Sequence, residues 1–155
     1  MGEQMKKLLL ATLITSASFA ATTATLNLSG TINSILEIEI DGTSAVTKTV
    51  DLLDKTAQSV ATVTETSNDP DGYDVVITST NSGSLVNGAS DSATYTLSYG
   101  GTSYNLSSAQ TVDNANTVGS SDRAVAVTVT DARTDEFDFA QGTYTDTVTF
   151  EISAK

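Results

Sequence analysis

The 155-residue chain has no cysteine, no histidine and no tryptophan, a single proline, and seven basic residues against nineteen acidic ones. Without cysteine there is no disulfide to staple a small fold and no thiolate to hold zinc. Without histidine the commonest general base is missing as well, which disfavours the usual hydrolytic chemistries. The net charge of −12 repels phosphate backbones and anionic headgroups, so neither nucleic acid nor a membrane surface is an expected partner. No cofactor is expected, and no residue is assigned a catalytic role.

What is present is Thr, Ser, Val, Ala, Asn, Asp and Gly. Thr and Val suit a pleated, half-buried surface, while Asn, Asp and Gly suit turns, so the composition points to an all-β fold. No sustained 3.6-residue period occurs beyond the first twenty residues, and helices should be minor.

Those first twenty residues read as a secretory leader. Lys6 and Lys7 precede an apolar run over 8–14, and Ser18-Phe19-Ala20 gives the small-x-small pattern of a cleavage site before Ala21. The run is well short of the ~20 residues that cross a bilayer, so no membrane insertion is expected after cleavage. Export through the periplasm is the expected route. Loss of Glu3, Lys6 and Lys7 leaves 18 acidic and 5 basic residues, a net charge near −13.

After the leader the chain alternates. Ala24, Leu26, Leu28, Gly30 and Ile32 fall on one face, and Thr25, Asn27, Ser29, Thr31 and Asn33 on the other, as in a strand with one apolar face interrupted by a glycine. Leu36, Ile38 and Ile40 then point inward, with a kink expected at Ile35 and a turn at Asp41-Gly42. Strands are expected over 46–53 and 58–66, the latter with Val60 and Val63 out of step. The run Ser67-Asn68-Asp69-Pro70-Asp71-Gly72 is the strongest turn signal, leading into Tyr73, Val75 and Ile77 on one face. Further strands carry Ala93, Tyr95, Leu97 and Tyr99, then Val125, Val127 and Val129, then Val148, Phe150 and Ile152. Gly100-Gly101 should connect a hairpin, and residues 107–122 should be mostly loop. About eight strands at this spacing predict a β-sandwich.

Three sets of residues invite chemistry. Asp69, Asp71 and Asp74 around Gly72 offer the hard oxygens that calcium takes, as do Asp131, Asp135, Glu136 and Asp138. Pro70 interrupts the first set and no distal glutamate follows it, so a solvated acidic turn is the expected reading. Tyr73, Tyr95, Tyr99, Tyr104 and Tyr144 could line a sugar site, but three of them keep step with apolar neighbours and read as core. Asn27-Leu28-Ser29 and Asn105-Leu106-Ser107 match the glycosylation sequon by chance.

Four stretches carry a resemblance: the alternating segment 24–32; Asp71-Gly72-Tyr73-Asp74-Val75-Val76-Ile77; Tyr95-Thr96-Leu97-Ser98-Tyr99-Gly100-Gly101; and Gly142-Thr143-Tyr144-Thr145-Asp146-Thr147-Val148-Thr149-Phe150. In these the chain resembles subunits of chaperone-usher fimbriae, especially the cysteine-free major pilins of the alpha class, with local similarity to spore-coat-U-type secreted proteins. The resemblance implies an immunoglobulin-like sandwich that lacks its last strand. A periplasmic chaperone would fill the resulting groove first, and at an outer-membrane usher the amino-terminal extension of the next subunit would replace it. Carried onto this chain, residues 1–20 are the leader, 21–33 the extension and 34–155 the sandwich. The donor strand would be Ala24, Leu26, Leu28, Gly30 and Ile32, with Leu26, Leu28 and Ile32 as plugs and Gly30 over a pocket too shallow for a side chain. Asn33-Ser34 stands where the alpha class has a proline, and Tyr144 lies too far from the carboxyl end for the family's penultimate tyrosine. The expected function is a structural subunit of a surface fibre. The alternative is a self-complete secreted immunoglobulin-like module, monomeric or attached to a matrix with a glycan as ligand, in which 24–32 is the first strand of its own sheet.

Overall fold

A computed structural model describes residues 22–88 and 91–155; the expected leader and its cleavage site lie outside the described residues. The chain divides into two units, one represented by residues 22–32 and the other by Asn33–Lys155. The second is an all-β, immunoglobulin-like sandwich of two antiparallel sheets.

Its strands in chain order are β1 (Leu36–Ile40), β2 (Gln58–Ser67), β3 (Gly72–Ser79), β4 (Ser84–Asn87), β5 (Asp91–Tyr99), β6 (Thr102–Tyr104), β7 (Gln110–Ala115), β8 (Gly119–Val129) and β9 (Val148–Ala154). A 3-10 turn, Glu136–Asp138, follows β8. One sheet runs β1-β2-β8-β5-β4 with β6 beside β5, and the other runs β7-β3-β9. The core forms where their alternating apolar faces meet: Tyr73, Val75 and Ile77 from β3 against Tyr95, Leu97 and Tyr99 from β5 and Val125 and Val127 from β8, all buried. Tyr73, Tyr95 and Tyr99 are therefore core residues, as their step with apolar neighbours predicts.

The turns follow the sequence. Asp41 and Gly42 both have positive φ, 49° and 73°, and Ile40 bridges to Thr43. Gly100 and Gly101 do the same at 57° and 87° between β5 and β6, the left-handed pair that a two-residue hairpin matched to strand twist requires. A bulge between Ser59 and Ala61 shifts the β2–β8 register and accounts for Val60 and Val63 being out of step.

Residues 24–32, whose alternation suits a strand, pair with no strand among the described residues. Two expectations need correction. Residues 46–53 are not a strand: among the described residues, the backbone of 44–50 makes no hydrogen bond to another backbone group. The following loop is knitted by side chains instead, with Gln58 accepting from Asp51 N and donating to the carbonyls of Asp51 and Asp54. The stretch 107–122, expected as loop, contains β7 and the start of β8. Among the described strands β7 pairs only with β3, and a polar sequence suffices there because Asn114 is its one buried residue.

Candidate functional site

The fold leaves one long seam open. β9 pairs only with β3 among the described strands, so the backbone groups of its other edge have no ladder partner. Native sheets protect such edges with proline, bulges or inward charges, and β9 (VTFEISA) has no proline and no bulge. Its inward residues Val148, Phe150 and Ile152 are only half-buried.

Opposite β9 runs the unpaired segment 44–50, whose alternation turns Val46, Lys48 and Val50 inward. Between the two lies a cavity of about 170 Å³ lined by these residues together with Ile40, Val60, Ala61, Leu85, Tyr95, Leu97, Val125, Val127, Asp146, Val148 and Phe150. An apolar cavity of ~150 Å³ accommodates a benzene-sized group. The groove continues into a second cavity of about 390 Å³ walled by Thr47, Thr49, Leu52, Gly142, Thr143, Tyr144 and Thr145. Lys48, Val50 and Leu85 border both and mark the neck between them. Both cavities are mainly apolar, and the second also carries four threonines, Thr47, Thr49, Thr143 and Thr145.

Two charged groups face this groove. Lys48 pairs with Asp41 at 2.6 Å, and Asp41 also accepts from Thr62 N at 2.8 Å, which ties the segment to β2. Asp146 is fixed by four donors: Tyr95 OH at 2.5 Å, Ser79 Oγ at 2.6 Å, Thr147 N at 2.8 Å and Asn81 N at 2.9 Å. Burial, reinforced by the bond to Asp146, pushes the Tyr95 phenol well above its usual range.

Of the residues singled out for the donor strand, Leu26, Leu28 and Ile32 are 80, 86 and 89 % exposed, and Ala24 and Gly30 are exposed too. The acidic candidates do not converge. Asp69 Oδ1 accepts from Asp71 N as part of the turn, while Asp74 faces Lys155 at 3.5 Å. Asp135 accepts from Phe137 N, and Asp131 pairs with Arg133. Among the described residues no group of three His, Cys, Asp or Glu is placed to hold a metal ion.

Two polar clusters flank the groove, and sequence reasoning missed both. Glu65 of β2 is fully buried and accepts from Tyr73 OH at 2.7 Å, from Tyr99 OH, and from Arg123 Nε at 3.3 Å. Arg123 also donates to Asn114 Oδ1 at 2.8 Å, so the cluster joins β2, β5 and β8 of one sheet to β3 and β7 of the other. Burial and the bond to Glu65 push Tyr73 up to about 12, and the same causes raise Tyr99. The second cluster centres on Arg133, which binds Asp91 at 2.7 Å and Asp131 at 2.9 Å and stacks 4.0 Å from the Phe139 ring centroid. Tyr144 OH donates to Asp91, as does Ala140 N at 2.9 Å. These donors, Tyr144 first, hold Asp91 far below the usual carboxylate range, and Arg133 holds Asp131 at about 2.

No family model matches the chain, and no curated protein matches it.

Proposed function

We propose that the chain is a structural subunit of a surface fibre, exported through the periplasm and polymerised by donor-strand exchange. Residues 24–32 of one copy would occupy the groove of the next. The observation that carries this reading is the open seam itself: an unprotected β9 edge beside an apolar groove, in a chain whose alternating segment 24–32 is exposed and unpaired. The dimensions agree. The groove wall from 142 to 150 and the segment from 24 to 32 are each nine residues, roughly 27 Å of extended chain. An added strand gains backbone pairing along β9 and side-chain burial in the groove.

Burying Leu26, Leu28 and Ile32 at roughly 1.5–3 kcal/mol each contributes about 5–9 kcal/mol, less the ordering of the strand. The contact is head-to-tail and does not close on itself, so it propagates a filament. Before assembly the same groove requires a temporary occupant, the role a periplasmic chaperone would fill before handing over at an outer-membrane usher.

Surface material from the source cells, run on a denaturing gel, should give a ladder of multimers when unboiled and a single band when boiled. Monomer in both lanes overturns the proposal. Deleting residues 21–33 should abolish the ladder while leaving a domain able to accept a strand. If the deletion instead destabilises an already monomeric protein, the self-complete module is the better reading.

A further inference from the structure

We infer that Asn68 is a positioning residue that leaves no slack between the sandwich and the segment 22–32, so that in a fibre each copy is held at a fixed angle to the next. The inference rests on the fibre reading above. Leu36 pairs with Ser67 at the outer end of the β1–β2 ladder. One step farther out, Asn68 takes over with three hydrogen bonds. Its backbone N donates to Ile35 O at 3.2 Å, its Oδ1 accepts from Ile35 N at 2.8 Å, and its Nδ2 donates to Asn33 O at 2.8 Å. The carboxamide thus stands in for a peptide group and carries the ladder to Asn33, where the sandwich unit begins.

The sandwich itself has little use for this extension. β1 is already anchored by Leu36, Ile38 and Ile40, which pack against the core, whereas Asn33, Ser34 and Ile35 are exposed. A chain end with no buried side chain frays readily, so holding these three residues serves whatever is attached to them. The clamp also has a rigid base. Ser67 is buried and its Oγ accepts from Asp69 N at 3.1 Å, while Asp69 accepts from Asp71 N at 3.0 Å and from Gly72 N at 3.1 Å. Pro70 fixes a φ angle within the turn, and Asn116 N donates to Asp71 O at 3.2 Å, which ties the turn to the β7–β8 connection. Asp69 and Asp71, candidates for calcium in the sequence, here brace Asn68.

The consequence is mechanical. On the fibre reading Ile32 is the last plug buried in the neighbouring copy, and Asn33 is the first residue fixed in its own. No free residue lies between two such anchors, so the junction cannot swivel as a flexible linker does. Releasing residues 33–35 would add three residues, roughly 10 Å of loose chain. Asparagine suits the position because it offers an acceptor and a donor at once. Aspartate of the same shape keeps the acceptor for Ile35 N but sets an oxygen against Asn33 O, and alanine keeps neither.

Full-length unmodified, Asn68→Asp and Asn68→Ala chains are expressed in the source cells, and their fibres are imaged by electron microscopy. The persistence length should fall about threefold in Asn68→Ala and by less in Asn68→Asp, as a loose tether replaces a stiff one. The heat-sensitive ladder should stay within about twofold of its unmodified amount in both. In the same fibres, hydrogen exchange at the Ile35 amide should quicken at least tenfold in Asn68→Ala and stay near its original rate in Asn68→Asp, with the far end of β1 unchanged. Inserting Gly-Gly between Ile32 and Asn33, with Asn68 intact, should loosen the fibre to the same extent as Asn68→Ala. Undiminished stiffness in Asn68→Ala, or unchanged exchange at Ile35, overturns the role of Asn68 while leaving the fibre reading standing. A ladder lost only in the Asn68 variants also overturns it, because the residue would then serve folding or assembly and not stiffness. A ladder absent from the unmodified chain as well overturns both.

Discussion

Replacing Glu65 with alanine should destabilise the sandwich by about 3–5 kcal/mol, the range for breaking a buried ion pair by removing one partner. The parts of that loss can be assigned from the structure. Tyr73 and Tyr99 are 0 and 2 % exposed, so each hydroxyl loses its acceptor where water cannot replace it, at about 1–3 kcal/mol apiece. The Arg123 side chain is 32 % exposed and can turn toward solvent, so its share is small, about 1 kcal/mol or less. Most of the cost therefore lies in the orphaned tyrosines and little in the lost charge pair. Urea unfolding followed by tyrosine fluorescence reads this directly. With a slope of ~1.5 kcal/mol per molar, the midpoint should fall by roughly 2–3 M. The same Glu65→Ala change in a Tyr73→Phe/Tyr99→Phe background should cost less than half as much, since no hydroxyl is left unpaired. A midpoint shift under ~0.5 M, or an equal cost in both backgrounds, refutes the reasoning.

Tyr73, Tyr95 and Tyr99 should stay silent in a phenolate absorbance titration through pH 10, since burial and carboxylate partners raise all three. A group whose folded value is raised loses its stabilising effect as pH climbs, so their ionisation should accompany alkaline unfolding; normal titration of all five tyrosines counts against the assignment. At the acid end the sign reverses. Asp131, held at about 2 by Arg133, contributes stability that is complete above the ordinary 3.8 and fades as pH falls through that window, and Asp91 acts in the same direction. The urea midpoint should therefore drop more steeply between pH 4 and pH 2 in the native chain than in Arg133→Met, and parallel curves would exclude the cluster as the cause. Gly72→Ala should prevent accumulation of folded protein, because the residue sits at φ +88° and a Cβ would lie 2.1 Å from Asn114 O; a soluble variant with an unchanged melting temperature contradicts this packing.

How much of this was legible depended on whether a residue's partners are local. β5 could be read outright, because Ala93, Tyr95, Leu97 and Tyr99 alternate with serine and threonine and both of its faces follow from parity alone. β7 could not, because its buried position is Asn114, whose reason to be inside is a hydrogen bond from Arg123 on another strand. Residues 46–50 have the side-chain alternation of a strand and do turn Val46 and Val50 inward, yet a strand also needs a backbone partner, which alternation does not report. Glu65 and Asp146 left a usable signal. Each keeps step with apolar residues, Glu65 with Val63 and Asp146 with Val148 and Phe150, and an acid on the inward parity of a strand marks a polar cluster or a site. What the sequence withheld was the identity of the donors, which come from elements up to 67 residues away.

The positions of the two clusters bear on why the groove stays open. A seam lined by half-buried valine, leucine and phenylalanine would be expected to close, since apolar packing is non-directional and neighbouring sheets can slide to cover it. Hydrogen bonds to charged groups are directional and lose much of their strength with small displacements. Glu65 sits beyond the groove floor on β2, five residues past Val60, and pins one sheet to the other at fixed points. Tyr144, on the wall of the second cavity, is held through Asp91 to Arg133. Polar anchors at both ends thus set the spacing, and the apolar surface between them has no way to bury itself within its own sandwich. In a chain without disulfides, these two clusters do the stapling, and on the fibre reading proposed above a strand from outside the sandwich would fill what they hold apart.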